Sequence, residues 1–234
     1  MHPKKTRVLI IGASSGIGLA LAKRLQQEYS LILGARRTNI LAKEFPDLVP
    51  VEIDLCQESS IRNAYSIIEK NGGNPEIVIH SAGVGVFKSV LELTGDEFRQ
   101  MIDTNLTGVF ISCQEAFQRM KPMKHGTIVN IASLAGKIAF GGGGGYNASK
   151  FGLAGLSEAL MLEAREFGIK VMTIFPGSVD TPFHDHSPLK SETKRSQMLS
   201  PEEVADFLYQ LLQLPENFLC DQVLFRPLKK KGIK

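Results

Sequence analysis

Cysteine is scarce in this chain of 234 residues. Cys56, Cys113 and Cys220 stand far apart, with no CxxC pair among them. A sparse, odd set gives neither a disulfide framework nor a zinc site, so no metal is expected. Long apolar runs are also missing, and none approaches the ~20 residues of a membrane span. The start, Met1 to Arg7, is short and basic, and the apolar run Val8–Ile11 breaks at Gly12, so no signal peptide is expected. Charge of one sign is lacking as well. Charged residues make up 22% of the chain and the formal net charge is +3. That balance favours neither nucleic acid nor a membrane as principal partner. Much of the excess sits at the ends, on Lys4, Lys5 and Arg7 and on Lys229, Lys230, Lys231 and Lys234, which read as solvated, frayed termini. Together these absences point to a reduced, cytoplasmic protein.

What is present is apolar material for one substantial core. Hydrophobic residues are 43% of the chain, and the length fits one α/β domain over residues 1–234. Short apolar runs at Arg7–Ile11, Ser30–Leu33, Val49–Ile53, Glu76–Ile79, Thr127–Ile131, Lys170–Phe175 and Gln222–Phe225 read as strands. Several are apolar at consecutive positions, as strands covered on both faces must be. Between them, helices are expected over Gly16–Glu28, Gln57–Glu69, Gly95–Arg119, Tyr146–Phe167 and Pro201–Leu212. Two begin with capping boxes, Thr94 to Glu97 and Ser200 to Glu203. Strict alternation with right-handed crossovers gives a doubly wound parallel sheet of seven strands, Rossmann-type, with helices on both faces.

The first expected strand runs into Gly12-Ala13-Ser14-Ser15-Gly16-Ile17-Gly18, which opens the first helix. Glycines at such a turn let backbone approach a pyrophosphate and leave helix N–H groups facing its charge. NAD-binding sheets usually place a carboxylate after the second strand to hold the ribose 2′-hydroxyl. This chain has Arg36 and Arg37 there, and no acid. A guanidinium suits a 2′-phosphate, so NADP(H) is expected over NAD(H), with Arg36 as main contact and Ser14 or Arg37 assisting. Arg37 reads equally as a solvated helix-start charge. Asp54 is placed to accept from the adenine amino group, or is an exposed loop acid.

Tyr146 and Lys150 lie four residues apart and share one helix face. An ammonium beside a phenol favours phenolate and lowers its pKa, and the same lysine can donate to the nicotinamide ribose. The pairing alone is common on amphipathic helices. Its company raises it: Ser133 closes a strand, and Asn105 precedes Thr107-Gly108 inside a helix where such residues are unfavourable, a cost that suggests a task. The segment Pro176-Gly177-Ser178-Val179-Asp180-Thr181 follows another strand, where ligands of open α/β sheets bind.

On these motifs, in this order and spacing, the chain resembles the classical short-chain dehydrogenases/reductases over nearly its whole length. The resemblance implies that Tyr146 gives the carbonyl oxygen its proton in reduction and takes it in oxidation. Ser133 would hydrogen-bond that oxygen, Lys150 would lower the tyrosine pKa and hold the ribose, and Asn105 would position a relay water. Thr181 and the backbone near Val179 would meet the nicotinamide carboxamide. Ser15, Ile17, Gly18, Leu55, Ala82, Gly83, Pro176 and Gly177 complete the implied cofactor contacts. The implied substrate is a small carbonyl compound or alcohol. The implied assembly is a homodimer or homotetramer through the central helices. Two features depart from the family. His80 replaces a mainly structural asparagine and reads as a satisfied core histidine. The glycine pair after the last strand is missing at Gln222–Pro227, which bears on the tetramer contact. An NAD-linked alcohol dehydrogenase and a non-catalytic NADP sensor are the alternatives. Pocket walls are expected from Val84–Leu93, Leu134–Gly145 and Pro182–Ser200, with Ala139 and Phe140 at an apolar entrance. His184, His186 and Lys190 read as solvated, and the glycine run Gly141–Gly145 as a mobile loop.

Overall fold

Seven short apolar runs pair in parallel in the order β3-β2-β1-β4-β5-β6-β7 among the described residues. The strands are β1 (Arg7–Ile11), β2 (Ser30–Ala35), β3 (Val51–Glu52), β4 (Ile77–His80), β5 (Gly126–Ile131), β6 (Ile169–Pro176) and β7 (Gln222–Phe225). The helices are α1 (Gly16–Leu25), α2 (Thr38–Glu44), α3 (Glu58–Lys70), α4 (Gly95–Ile102), α5 (Gly108–Met120), α6 (Gly144–Ala164) and α7 (Pro201–Leu212). The computed structural model describes residues 5–183 and 195–228. Lys4, the terminal lysines from Lys229 onward, His184, His186 and Lys190 lie outside them. No helix among the described residues is long and apolar enough to cross a membrane.

Alternation along each strand explains the two-sided core. In β1, Leu9 and Ile11 pack with α3, α5 and α6, while Val8 and Ile10 pack with α1, α2 and α7. All four are essentially inaccessible. Successive side chains point to opposite faces, so a run of consecutive apolar residues needs helices on both. Parallel pairing also gathers every strand's C-terminal end on one edge, where connecting loops can form a site.

Some bounds differ from expectation for physical reasons. The edge strand β3 keeps two residues against Gly34 and Ala35, because Pro50 has no N–H to give a ladder and Val49 is left in solvent. α2 has two turns and one buried side chain, Leu41, too little to show a periodic stripe. The helix expected over Gly95–Arg119 is two α-helices joined by a π turn at Asp103–Thr107. Both expected capping boxes are formed, at Thr94 and Ser200.

Candidate active site

The glycine loop leaves β1 with backbone that other residues resist. Gly12 has φ +90, and a methyl group there would sit 2.5 Å from the Ala82 amide nitrogen. Thus the loop lies directly on the end of β4. Gly18 packs helix α1 back onto the Gly12 carbonyl and does not itself line the cleft. Ser15 is the N-cap of α1 but makes no side-chain cap bond. The first-turn N–H groups are therefore left for an anion, as a pyrophosphate site requires. Ser14, Ser15, Gly16, Ile17, Ala82, Gly83, Pro176, Gly177, Val179 and Thr181 all border the same cleft of about 690 Å³. Arg36, Arg37, Asp54 and Leu55 border it at the β2–β3 end. Both arginines are exposed, and neither is in an ion pair among the described residues. The Asp54 carboxylate accepts from the Cys56 amide at 3.0 Å.

At the other end Ser133, Tyr146 and Lys150 come together. Ser133 stands just past β5 and caps a short 3-10 turn, its hydroxyl accepting from the Ala135 amide at 3.1 Å. Tyr146 sits in the first turn of α6. Burial pushes its phenol up to about 12, and the Ser133 hydroxyl opposes that shift. The lysine coupling expected from the four-residue spacing is not among its causes. Lys150 instead donates to the Ile131 carbonyl at 3.1 Å, its ammonium 5.8 Å from the Tyr146 ring centre. Burial lowers the ammonium to about 8. The phenol is thus a neutral donor at neutral pH, with a mostly cationic neighbour.

Asn105 occupies the π turn and is fully buried. Its carbonyl oxygen accepts from the Val84 amide at 2.8 Å, and its amide donates to the Val84 carbonyl at 2.7 Å and to Ser149 at 3.0 Å. Its side chain does not line the cleft but clamps the loop after β4 to α6. The extra residue of a π turn aims it there, a use common at functional sites.

His80 is enclosed at the end of β4. Its Nδ1 lies 2.8 Å from Asn130 Oδ1 and its Nε2 lies 2.7 Å from Ser112 Oγ. The Asn130 amide donates to Ser157 at 2.8 Å, so its oxygen faces the ring and Nδ1 carries the proton. Nε2 then accepts from Ser112, which also meets Tyr65 at 2.9 Å. The chain of bonds is complete with a neutral ring, and burial lowers the pKa to about 4.

The glycine run is the loop expected only at its start, where Gly141 and Gly142 form a turn and Gly141 is exposed. Gly144 and Gly145 begin α6, and Gly143 and Gly145 are buried. A methyl group on Gly143 would sit 2.5 Å from the Phe140 ring, and one on Gly145 2.3 Å from Met101 Cε. Small residues let a ring and a thioether pack onto backbone here. Composition showed the missing side chains but not the neighbours that fill their space. Phe87, Phe183 and Arg226 line the cleft without having been singled out by the sequence. Phe87 and Phe183 lie within expected pocket loops. Arg226 had no signal beyond its place after the last strand.

A short chain dehydrogenase family model matches residues 6–191. The human dehydrogenase/reductase SDR family member 11 is 32% identical over 241 residues, covering 94% of this chain and 93% of that protein. An alcohol dehydrogenase from the archaeon Thermococcus sibiricus, complexed with 5-hydroxy-NADP, superposes with a TM-score of 0.87 at 26% identity. That match covers 98% of this chain and 99% of the other. A 4-hydroxyisoleucine dehydrogenase complexed with NADH superposes at 0.84 and 27% identity, covering 95% and 97%. With a family model over most of its length and a relative matched nearly end to end, the chain belongs to the short-chain dehydrogenase/reductase family, oxidoreductases that act between alcohols and carbonyls with a nicotinamide cofactor.

Proposed function

We propose that this chain is an NADP(H)-dependent oxidoreductase for a carbonyl compound or secondary alcohol, with Tyr146 as its acid–base group. The observation that carries the reading is the meeting of Ser133, Tyr146 and Lys150 in the cleft that the glycine loop borders. The uncapped first turn of α1 and the close Gly12–Ala82 approach fit a dinucleotide pyrophosphate. A nicotinamide held in this cleft would supply or accept the hydride. Ser133 and Tyr146 donate hydrogen bonds to the substrate oxygen. The neutral phenol passes its proton to that oxygen as negative charge grows, and the Lys150 ammonium favours the phenolate left behind. Oxidation runs the same proton back. Asn105 holds Val84 and Ser149 in place around this exchange from behind the cleft wall.

Arg36 is the main contact for a 2′-phosphate, Ser14 and Arg37 assist it, and Asp54 faces the adenine. The exposed Phe110 on α5 and Phe151 and Leu162 on α6 suit a homo-oligomer contact through these helices. The free thiols of Cys56, Cys113 and Cys220 suit a reducing, cytoplasmic setting. The whole chain reads as one dinucleotide-binding domain.

The decisive experiment pairs activity with binding. Tyr146→Phe should lose at least ~100-fold in turnover of a carbonyl panel while NADPH affinity stays within about twofold. Substantial retained turnover refutes the acid–base role. Fluorescence titration with NADPH and NADH tests the cofactor. Arg36→Ala should weaken NADPH about tenfold or more and leave NADH nearly unchanged. Native preference for NADH refutes the 2′-phosphate assignment.

A further inference from the structure

Two phenylalanines pack on the Tyr146 ring and a third packs on one of them. The rings of Phe87 and Tyr146 stand 5.4 Å apart edge to face, and those of Phe183 and Tyr146 5.5 Å apart. Phe87 also meets Phe140 at 6.0 Å and Phe183 at 5.8 Å. Val84, Leu134 and Ile138 continue the same wall. Among the described residues, the charged side chains lining the cleft are Arg36, Arg37, Asp54, Lys150 and Arg226. The first three lie at the β2–β3 end, and Arg226 follows β7 at the opposite edge. None comes from the wall facing Tyr146.

Contacts from several loops hold that wall together. Lys88 bridges Gly143 in a short parallel contact, tying the loop after β4 to the loop before α6. Asn147 donates to the Phe140 carbonyl at 3.0 Å. Asn105 holds Val84 from both sides of its backbone. Gly143 gives the Phe140 ring its seat. An apolar surface gains by covering carbon and gives nothing to a polar group that must shed water there.

Resting on the oxidoreductase reading above, we propose that the substrate carries an apolar chain or ring of several carbons beside the reacting carbon, and that Phe87, Phe140 and Phe183 form its subsite. Ser133 and Tyr146 take the oxygen, and the apolar group lies along the three rings towards Ile138. Small polyols and sugars, whose hydroxyls would face these rings unpaired, are disfavoured.

The test uses the full chain with NADPH and linear methyl ketones from butanone to decan-2-one. Each added methylene should raise kcat/KM about threefold to fourfold until the wall is covered. Phe140 is partly exposed, so Phe140→Ala should fold and should flatten that rise, while Phe140→Leu should keep most of it. A series that is flat, or that falls with length while butanone is turned over, overturns the subsite and leaves the oxidoreductase reading intact. So does an Ala variant with an unchanged slope. NADPH binding without oxidation by any ketone or aldehyde overturns the reading on which the proposal rests.

Discussion

Replacing His80 with asparagine should make stability less sensitive to acid. The native ring is neutral, buried, and bonded on both nitrogens to Asn130 and Ser112. Burial lowers its pKa from 6.5 to about 4. A histidine whose folded pKa is depressed stabilises the fold fully above its unfolded value. As pH falls below about 6.5 the unfolded chain takes up a proton that the folded chain refuses, and stability drops by about 1.4 kcal/mol per pH unit. The loss levels off near pH 4, where the folded ring titrates too. Between about pH 7.5 and pH 5 it amounts to about 2 kcal/mol, and the full effect is about 3 kcal/mol. Carboxylates elsewhere contribute their own acid dependence, so the comparison is between wild type and His80→Asn. Urea unfolding of both across this range isolates the histidine as a difference of slopes. The variant's offset at neutral pH does not enter, since only the change with pH is compared. Parallel profiles for the two proteins would falsify the neutral, buried assignment.

Gly12→Ala should be severe, because its φ of +90 and the 2.5 Å approach to Ala82 leave no room for a methyl group; a loss of about 2 kcal/mol or more in stability, with NADPH binding sharply reduced, is expected by calorimetry. NADPH affinity should fall as pH rises from about 7 to 9, because the Lys150 ammonium, lowered to about 8, gives up its charge in that range; a flat binding profile counts against the ribose contact that the family resemblance implies for it. Glu115 is buried and bridges Arg62 and Arg119. Glu115→Ala removes the partner that two guanidiniums share, although Arg62 keeps Glu58 and Arg119 keeps Glu69; it should cost about 1–2 kcal/mol in urea unfolding, and no measurable loss would show that water replaces the pairing.

Much of this architecture was legible from periodicity. Consecutive apolar residues in Val8–Ile11 and Ile77–Ile79, and the run Val171–Phe175 broken only by Thr173, demand cover on both faces, and β1, β4 and β6 have it. The capping boxes at Thr94 and Ser200 marked their helices because the signal lies within four residues. The site was less uniformly legible. Arg36 could be named from its place after β2, since strand-end position in a parallel sheet is nearly position at the cleft. Asn105 could be flagged as poor helix material, but its partners Val84 and Ser149 lie 21 and 44 residues away, so its clamp was invisible.

Spacing along the chain was enough for the alternation, the parallel sheet and the chemical groups at its C-terminal edge. These depend on spacing along one chain and on residue type. Tertiary structure alone decided the state of those groups. Tyr146 is a raised phenol because apolar side chains close over it, while Lys150 turns to the Ile131 carbonyl. The glycines before Tyr146 became packed surface because Phe140 and Met101 occupy the space their missing side chains leave. Desolvation and close packing are sums over neighbours from many parts of the chain, and no local pattern carries that sum.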